Sequence, residues 1–264
     1  MAIRVGIGGW TFAPWRGAFY PKGLPQAQEL HYAAERLSSI EINGTFYRTQ
    51  TPASYRKWAG EVPAGFVFAL KGPRYATHRK PLAEAGPSIE RFLASGPLTL
   101  GDKLGPLLWQ FAPFTKFDPQ DFDAFLNLLP HERDGTRLRH VVEARHASFT
   151  DPRYVALLRE HGVAHCMVDS DKHPVIEDVT ADFVYCRLER SAEDEATGYP
   201  KKSLDRWIGR FKTWAGGGEP DDAGRLVNAP APKAKARDCF VYFISGAKVR
   251  NPAAAVEFIK IVGK

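Results

Sequence analysis

Eight polar side chains close short apolar runs along this chain: Glu41, Asn43, Lys71, Gln110, Glu143, Arg145, Asp169 and Arg187. Three are carboxylates, and carboxylates beside fixed cations can act as general acid and base when burial separates their pKa values. Glu143, Asp169 and Glu41 are therefore the candidate catalytic residues. Lys71, Arg145 and Arg187 can hold a phosphate or a carboxylate, the arginines through a planar fork of donors. Trp10, Asn43, Tyr47, Arg74, Gln110 and His146 complete the candidate substrate contacts. The spacing gives these residues a direction. Glu41 and Asn43 are two apart, as are Glu143 and Arg145, and Tyr185 and Arg187, so each pair shares one face of a strand. Charge on a strand wedged between two apolar layers is costly unless it is paired or lies at a wet opening. The pairs are thus expected to point inward around one mouth, where three acids and three bases nearly cancel and Arg74 tips the balance positive. A bland alternative is an internal salt-bridge network that plugs the interior, although such networks often break even energetically.

The elements that must position this ring are eight short runs: Ile3–Gly8, Ser39–Asn43, Phe66–Lys71, Leu107–Phe111, Val141–Arg145, His165–Asp169, Phe183–Arg187 and Cys239–Ile244. Most of the intervening segments can hold a helix. Leu30, Ala33, Ala34 and Leu37 recur at helical spacing, as do Phe122, Phe125, Leu126 and Leu129, and Asp151-Pro152 caps a third helix. Strand–helix alternation predicts a parallel sheet of βαβ units. Eight such units in 264 residues favour a closed single (β/α)8 TIM barrel, whose strand C-termini share one mouth.

Composition fits one soluble domain over residues 1–264, with 44% hydrophobic and 25% charged residues. The stretch 215–237, rich in Gly, Pro and Ala, reads as a flexible insertion before the eighth strand, whose deletion should leave the melting temperature almost unchanged. Three cysteines without CxxC spacing read as buried reduced thiols. The first strand begins at once, with no signal peptide, and no apolar stretch nears the ~18 residues of a membrane span, so a cytoplasmic protein without a membrane partner is expected. The net charge of +6 permits an anionic partner. Basic residues are scattered, and the densest group is Arg74, His78, Arg79 and Lys80. No histidine pair has zinc spacing, and no nucleophile elbow, P-loop or dinucleotide fingerprint occurs. No cofactor is implied. Glu41, Glu143 and Asp169 could hold Mg²⁺ or Mn²⁺ through oxygen, but the interleaved cations compete with the ion.

Several segments occur in a fixed order: Gly8-Gly9-Trp10 with Trp15-Arg16-Gly17 and Phe19-Tyr20-Pro21, Glu41-Ile42-Asn43-Gly44-Thr45-Phe46-Tyr47, Lys71-Gly72-Pro73-Arg74 with Thr77-His78, Trp109-Gln110-Phe111-Ala112-Pro113 and Glu143-Ala144-Arg145-His146. Together they resemble the YecE-like family, domain of unknown function 72, over nearly the whole chain. The resemblance implies a TIM barrel and supplies no activity. The chain departs from the family pattern in three places. Phe149 stands where Trp is common. Glu189-Arg190 follows Leu188 where the family has His-Gly. Phe243-Ile244-Ser245-Gly246 replaces an Asn-Asn or Asn-Asp pair before Gly.

The leading reading is an enzyme acting by acid/base chemistry on a small anionic or polar ligand, phosphate esters included. The alternatives are a nucleic-acid-binding or processing protein, which needs a continuous basic groove beside the mouth, and a non-catalytic ligand sensor on a degenerate barrel.

Overall fold

The computed structural model describes residues 2–263. Eight parallel strands close into a barrel: β1 Ile3–Gly8, β2 Ser39–Ile42, β3 Val67–Lys71, β4 Leu104–Gln110, β5 His140–Glu143, β6 Ala164–Asp169, β7 Phe183–Leu188 and β8 Asp238–Phe243. Each strand pairs with the next in sequence, and β8 pairs with β1. The outer layer holds α1 Glu29–Ala34, α2 Pro52–Gly60, α3 Gly86–Ala94, α4 Pro119–Asn127, α5 Pro152–Glu160, α6 Lys201–Ala215 and α7 Asn251–Val262. Local chemistry sets several starts. Thr51, Asp118 and Asp151 each accept a first-turn N–H, and Pro52, Pro119 and Pro152 follow them, where a missing N–H costs nothing. No helix among the described residues is long and apolar enough to cross a membrane.

Strand alternation splits the apolar residues into two cores. Ala69, Leu108, Val141, Cys166, Val168, Tyr185 and Tyr242 fill the barrel, whereas Ile40, Leu70, Val142, Met167, Val184 and Val241 face the helices. The barrel interior is therefore packed rather than hollow. The three cysteines are buried and free, and burial pushes each thiol up.

The βα repeat is broken once. The connection 170–182 between β6 and β7 carries no helix. The segment 216–237, which also lacks helix and strand, is fastened to it. Glu177 N donates to Gly224 O at 3.0 Å, and the fully buried Asp178 carboxylate accepts from Leu226 N at 2.7 Å and Val227 N at 3.3 Å. Arg159 of α5 donates to Ala229 O, and Arg237 donates to Gly218 O and Pro232 O. Ile176 and Val179 are buried, and Leu226 and Val227 pack on the same core. Composition suggested a loose excursion because it does not register two buried carboxylates, Glu177 and Asp178, that supply acceptors to an irregular backbone. Asp178→Ala should therefore lower unfolding free energy by about 2 kcal/mol, since it strands two N–H groups that bond a charged acceptor. Urea denaturation measures it. An unchanged midpoint, in that variant and in one lacking residues 219–231, would restore the loose insertion.

Candidate functional site

The inward phase of five strands gathers the charged ring above the apolar plug. At its centre is Glu143, 0% exposed at the end of β5. Its Oε1 accepts from Arg145 Nε at 2.6 Å and Gln110 Nε2 at 2.8 Å. Its Oε2 accepts from Arg187 Nη1 at 2.7 Å and Gln110 Nε2 at 2.9 Å. Arg187 crosses the barrel. Its Nη1 also donates to Glu189 Oε1, its Nη2 donates to Glu41 Oε1 at 3.3 Å, and its Nε lies 3.3 Å from Glu41 Oε2. Glu41 Oε2 accepts the Tyr185 hydroxyl at 2.6 Å.

These contacts set the electrostatics. Burial would raise the Glu143 carboxyl, but the Arg187 and Arg145 guanidiniums, with Lys71, outweigh it and hold the group well below the usual range. Burial would likewise weaken the Arg187 charge, yet Glu143 and Glu41 hold it firmly protonated. Two groups at the rim behave differently. Lys71 is 5% exposed, and its Nζ lies 4.1 Å from the centroid of the Phe46 ring. Among the described residues its ammonium has no hydrogen bond or ion pair. Burial, reinforced by Arg187, pulls its pKa down to about 8. Burial raises the Glu189 carboxyl despite Arg187 beside it. His173 and His78 are both lowered, by burial first and then by neighbouring cations, and His173 Nδ1 is buried without a hydrogen-bond partner.

The structure thus brings together Glu41, Lys71, Gln110, Glu143, Arg145 and Arg187. Asn43 sits half-buried at the rim, its Nδ2 3.1 Å from where a side chain on Gly8 would begin. Trp10 packs edge-on against Trp58, and its carbonyl accepts from the Tyr20 hydroxyl. Tyr47 and Arg74 are exposed on the single helical turns Gly44–Tyr47 and Arg74–Thr77, outside the ring. Two residues depart from expectation. Asp169 points to the helix layer, ion-paired with Arg190 at 3.0 Å and bonded to Trp207 Nε1 of α6 at 3.2 Å. Cys166 and Val168 are the inward residues of β6, so Asp169 has the opposite phase. The His146 ring accepts from Ser148 N at 3.1 Å and also bonds the Ser148 hydroxyl, which caps the turn Ala147–Phe149. Asp169 is thus turned away from Glu41 and Glu143, which both accept from internal donors.

Glu189, Phe46 and His173 were not among the expected residues; Tyr185 was expected inward with Arg187, and His78 was noted in the basic group after β3, but neither was given a role in the site. For Glu189 a signal existed, because Tyr185, Arg187 and Glu189 continue one period-two series. No comparable pattern marks the histidines or Phe46.

Comparisons with known proteins agree with this architecture. A family model described as protein of unknown function DUF72 matches residues 4–264. UPF0759 protein YunF of Bacillus subtilis (strain 168) is 23% identical over 176 residues, or 63% of this chain, and the match spans only 60% of that relative's length. The crystal structure of a DUF72 family protein (TM1631) from Thermotoga maritima MSB8 superposes with a TM-score of 0.75 at 22% identity, covering 100% of both chains. A DUF72 family protein (EF0366) from Enterococcus faecalis V583 follows at a TM-score of 0.68 and 15% identity, covering 99% of this chain and 98% of that one. At such identities the solved structures establish the fold alone. The family match over residues 4–264 makes this chain a member of the DUF72 family.

Proposed function

We propose that the mouth binds a small anionic ligand, a phosphate ester or carboxylate, and acts on it by acid/base chemistry. One observation carries this reading: two cations at the rim have donors left over. Among the described residues the Lys71 ammonium has no hydrogen bond or ion pair, Glu143 and Glu41 acting on it only from a distance, and Arg145 spends only its Nε on Glu143, leaving Nη1 and Nη2 without a bond at 22% side-chain exposure. Beneath them Arg187 is ion-paired with both Glu143 and Glu41. A plug that existed only for packing would not keep an unpaired ammonium above it. The roles follow from the environments. Glu143, held ionised with both oxygens engaged, orients Arg145 and Arg187. Lys71, brought down to about 8, is the group able to exchange protons near pH 7, and burial moves the Glu189 carboxyl in the direction of its neutral form.

Calorimetric titration with inorganic phosphate and a panel of small phosphate esters and carboxylates tests this. Arg145→Lys and Lys71→Met should each weaken binding by roughly tenfold or more, as loss of a charge-assisted hydrogen bond does. Affinity should fall as pH rises past about 8, where the empty site's Lys71 loses its proton; a bound anion moves that midpoint upward. Binding unaffected by both substitutions, or absent across the panel, would overturn the proposal.

A further inference from the structure

On the β2–β4 side of the mouth the loops carry a surface that the ring does not explain. Among the described residues, Tyr47, Tyr75 and Phe114 are exposed aromatic rings at 66%, 64% and 72%. They follow β2, β3 and β4 in turn. None is needed to close a core, and large rings left in water on three consecutive loops mark a contact surface. The rings are joined to the ring of charges. Phe46, under Lys71, meets His78 edge-on at 5.3 Å, and His78 meets Phe114 at 5.9 Å. Two adjoining cavities of about 450 and 550 Å³ flank this line, and His78 and Arg79 border both.

Charge follows the same path. Arg74 and Arg91 line one cavity, and Lys80 and Lys116 line the other. None of these four makes an ion pair among the described residues. The nearby acids are engaged: Glu84 pairs with Arg79 at 2.9 Å, Asp118 caps α4, and Asp121 accepts from Leu82 N and Ala83 N. Four unpaired cations over two cavities exceed what one phosphate neutralises. Exposed rings between them suit unpaired bases, whose flat faces stack on aromatic side chains regardless of sequence. A duplex hides those faces.

From this we infer that the loops after β2, β3 and β4 bind single-stranded nucleic acid, with bases on Tyr75 and Phe114 and phosphates along Arg74, Lys80, Arg91 and Lys116. The inference rests on the preceding reading in one respect only: a phosphate of the strand is the anion that reaches Lys71 and Arg145.

The test is fluorescence anisotropy of the full chain with a labelled oligothymidylate of about twelve nucleotides, against the same strand annealed to its complement and against heparin. The single strand should bind best. Its affinity should fall roughly 50-fold between about 50 and about 200 mM salt if about four phosphates are neutralised. Phe114→Ala and Tyr75→Ala should each weaken binding by roughly tenfold, with melting curves unchanged because both rings are exposed. Arg74→Ser and Lys116→Ser should each reduce the salt slope by about 0.7. Absence of oligonucleotide binding overturns the inference. So does heparin binding as tight as the oligonucleotide's together with insensitivity to both ring substitutions, since that describes a bare polyanion surface. If phosphate binds the mouth and the oligonucleotide does not bind, this inference falls and the mouth reading stands. If the oligonucleotide binds through Phe114 and Tyr75 while phosphate does not bind and Arg145→Lys has no effect, the mouth reading falls and the strand-binding surface stands.

Discussion

Replacing Arg187 by Met should cost the folded protein about 3–5 kcal/mol, as removal of one partner from a buried ion network does. Among the described residues Arg187 alone touches Glu143, Glu189 and Glu41 together, and Glu143 and Glu41 are both 0% exposed. Methionine fills much of the same space, so the loss comes from carboxylates left without their cation rather than from a cavity. The pH dependence has a definite sign. In the parent, Glu143 is held below its unfolded value, so its stabilisation is fully present above the ordinary carboxyl range near pH 4 and is lost as the medium becomes more acid. Without Arg187 the carboxyl rises and folding tolerates protonation better. The gap between parent and variant should therefore narrow as pH falls from 7 toward 4. Urea denaturation at both pH values measures it. A loss under about 1 kcal/mol at pH 7 would show that the network is solvated and not the buried lock described above.

Lys71→Met should act in the opposite direction, raising stability at pH 7 by roughly 1–3 kcal/mol while weakening anion binding. The folded-state value of about 8 lies below the ordinary 10.5, so the folded protein is the poorer proton acceptor. Between those two values the unfolded chain holds more protons, and stability rises with pH across that interval. Below about pH 8 the parent carries the full cost of a buried, unpaired ammonium, which the substitution removes. Thermal unfolding from pH 7 to 10 should show the variant's advantage shrinking as pH rises. A variant less stable than the parent at pH 7 would mean that Lys71 has a stabilising partner and is not a cation kept for a ligand. Stability gained where binding is lost is the usual mark of a functional position.

Much of this was legible in the residues. β1 runs over Ile3–Gly8 as its apolar run does, and the Asp151-Pro152 cap marks the start of α5. The other strands shift by one to three residues at an end; β4 begins earlier, at Leu104, because the interrupted Gly105-Pro106 hides its start from apolar patterning. The ring was legible where partners two residues apart fixed the phase, as for Glu143 with Arg145. It was not legible for Asp169. His165, Met167 and Asp169 form as plausible an inward series as Cys166, Val168 and Ser170, and only the packing of Cys166 and Val168 into the barrel decides between them. Of the exposed rings, Tyr47 was among the expected contacts, whereas Tyr75 and Phe114 escaped notice because hydropathy does not distinguish Phe114 in water from Phe111 in the core.

The helix missing after β6 has a consequence for the order in which the chain can become a protein. Most other strands are followed directly by the helix of their own unit, although β1 is also completed by β8 and covered by α7. The wall over the β6–β7 connection is supplied by residues some fifty positions later: Glu177 and Asp178 wait for Gly224, Leu226 and Val227. Until then Ile176 and Val179 lack part of their cover, and two carboxylates lack the N–H groups that will hold them. A nascent chain halted before residue 216 should therefore be sticky, and its rescue should depend on residues 216–243 leaving the ribosome.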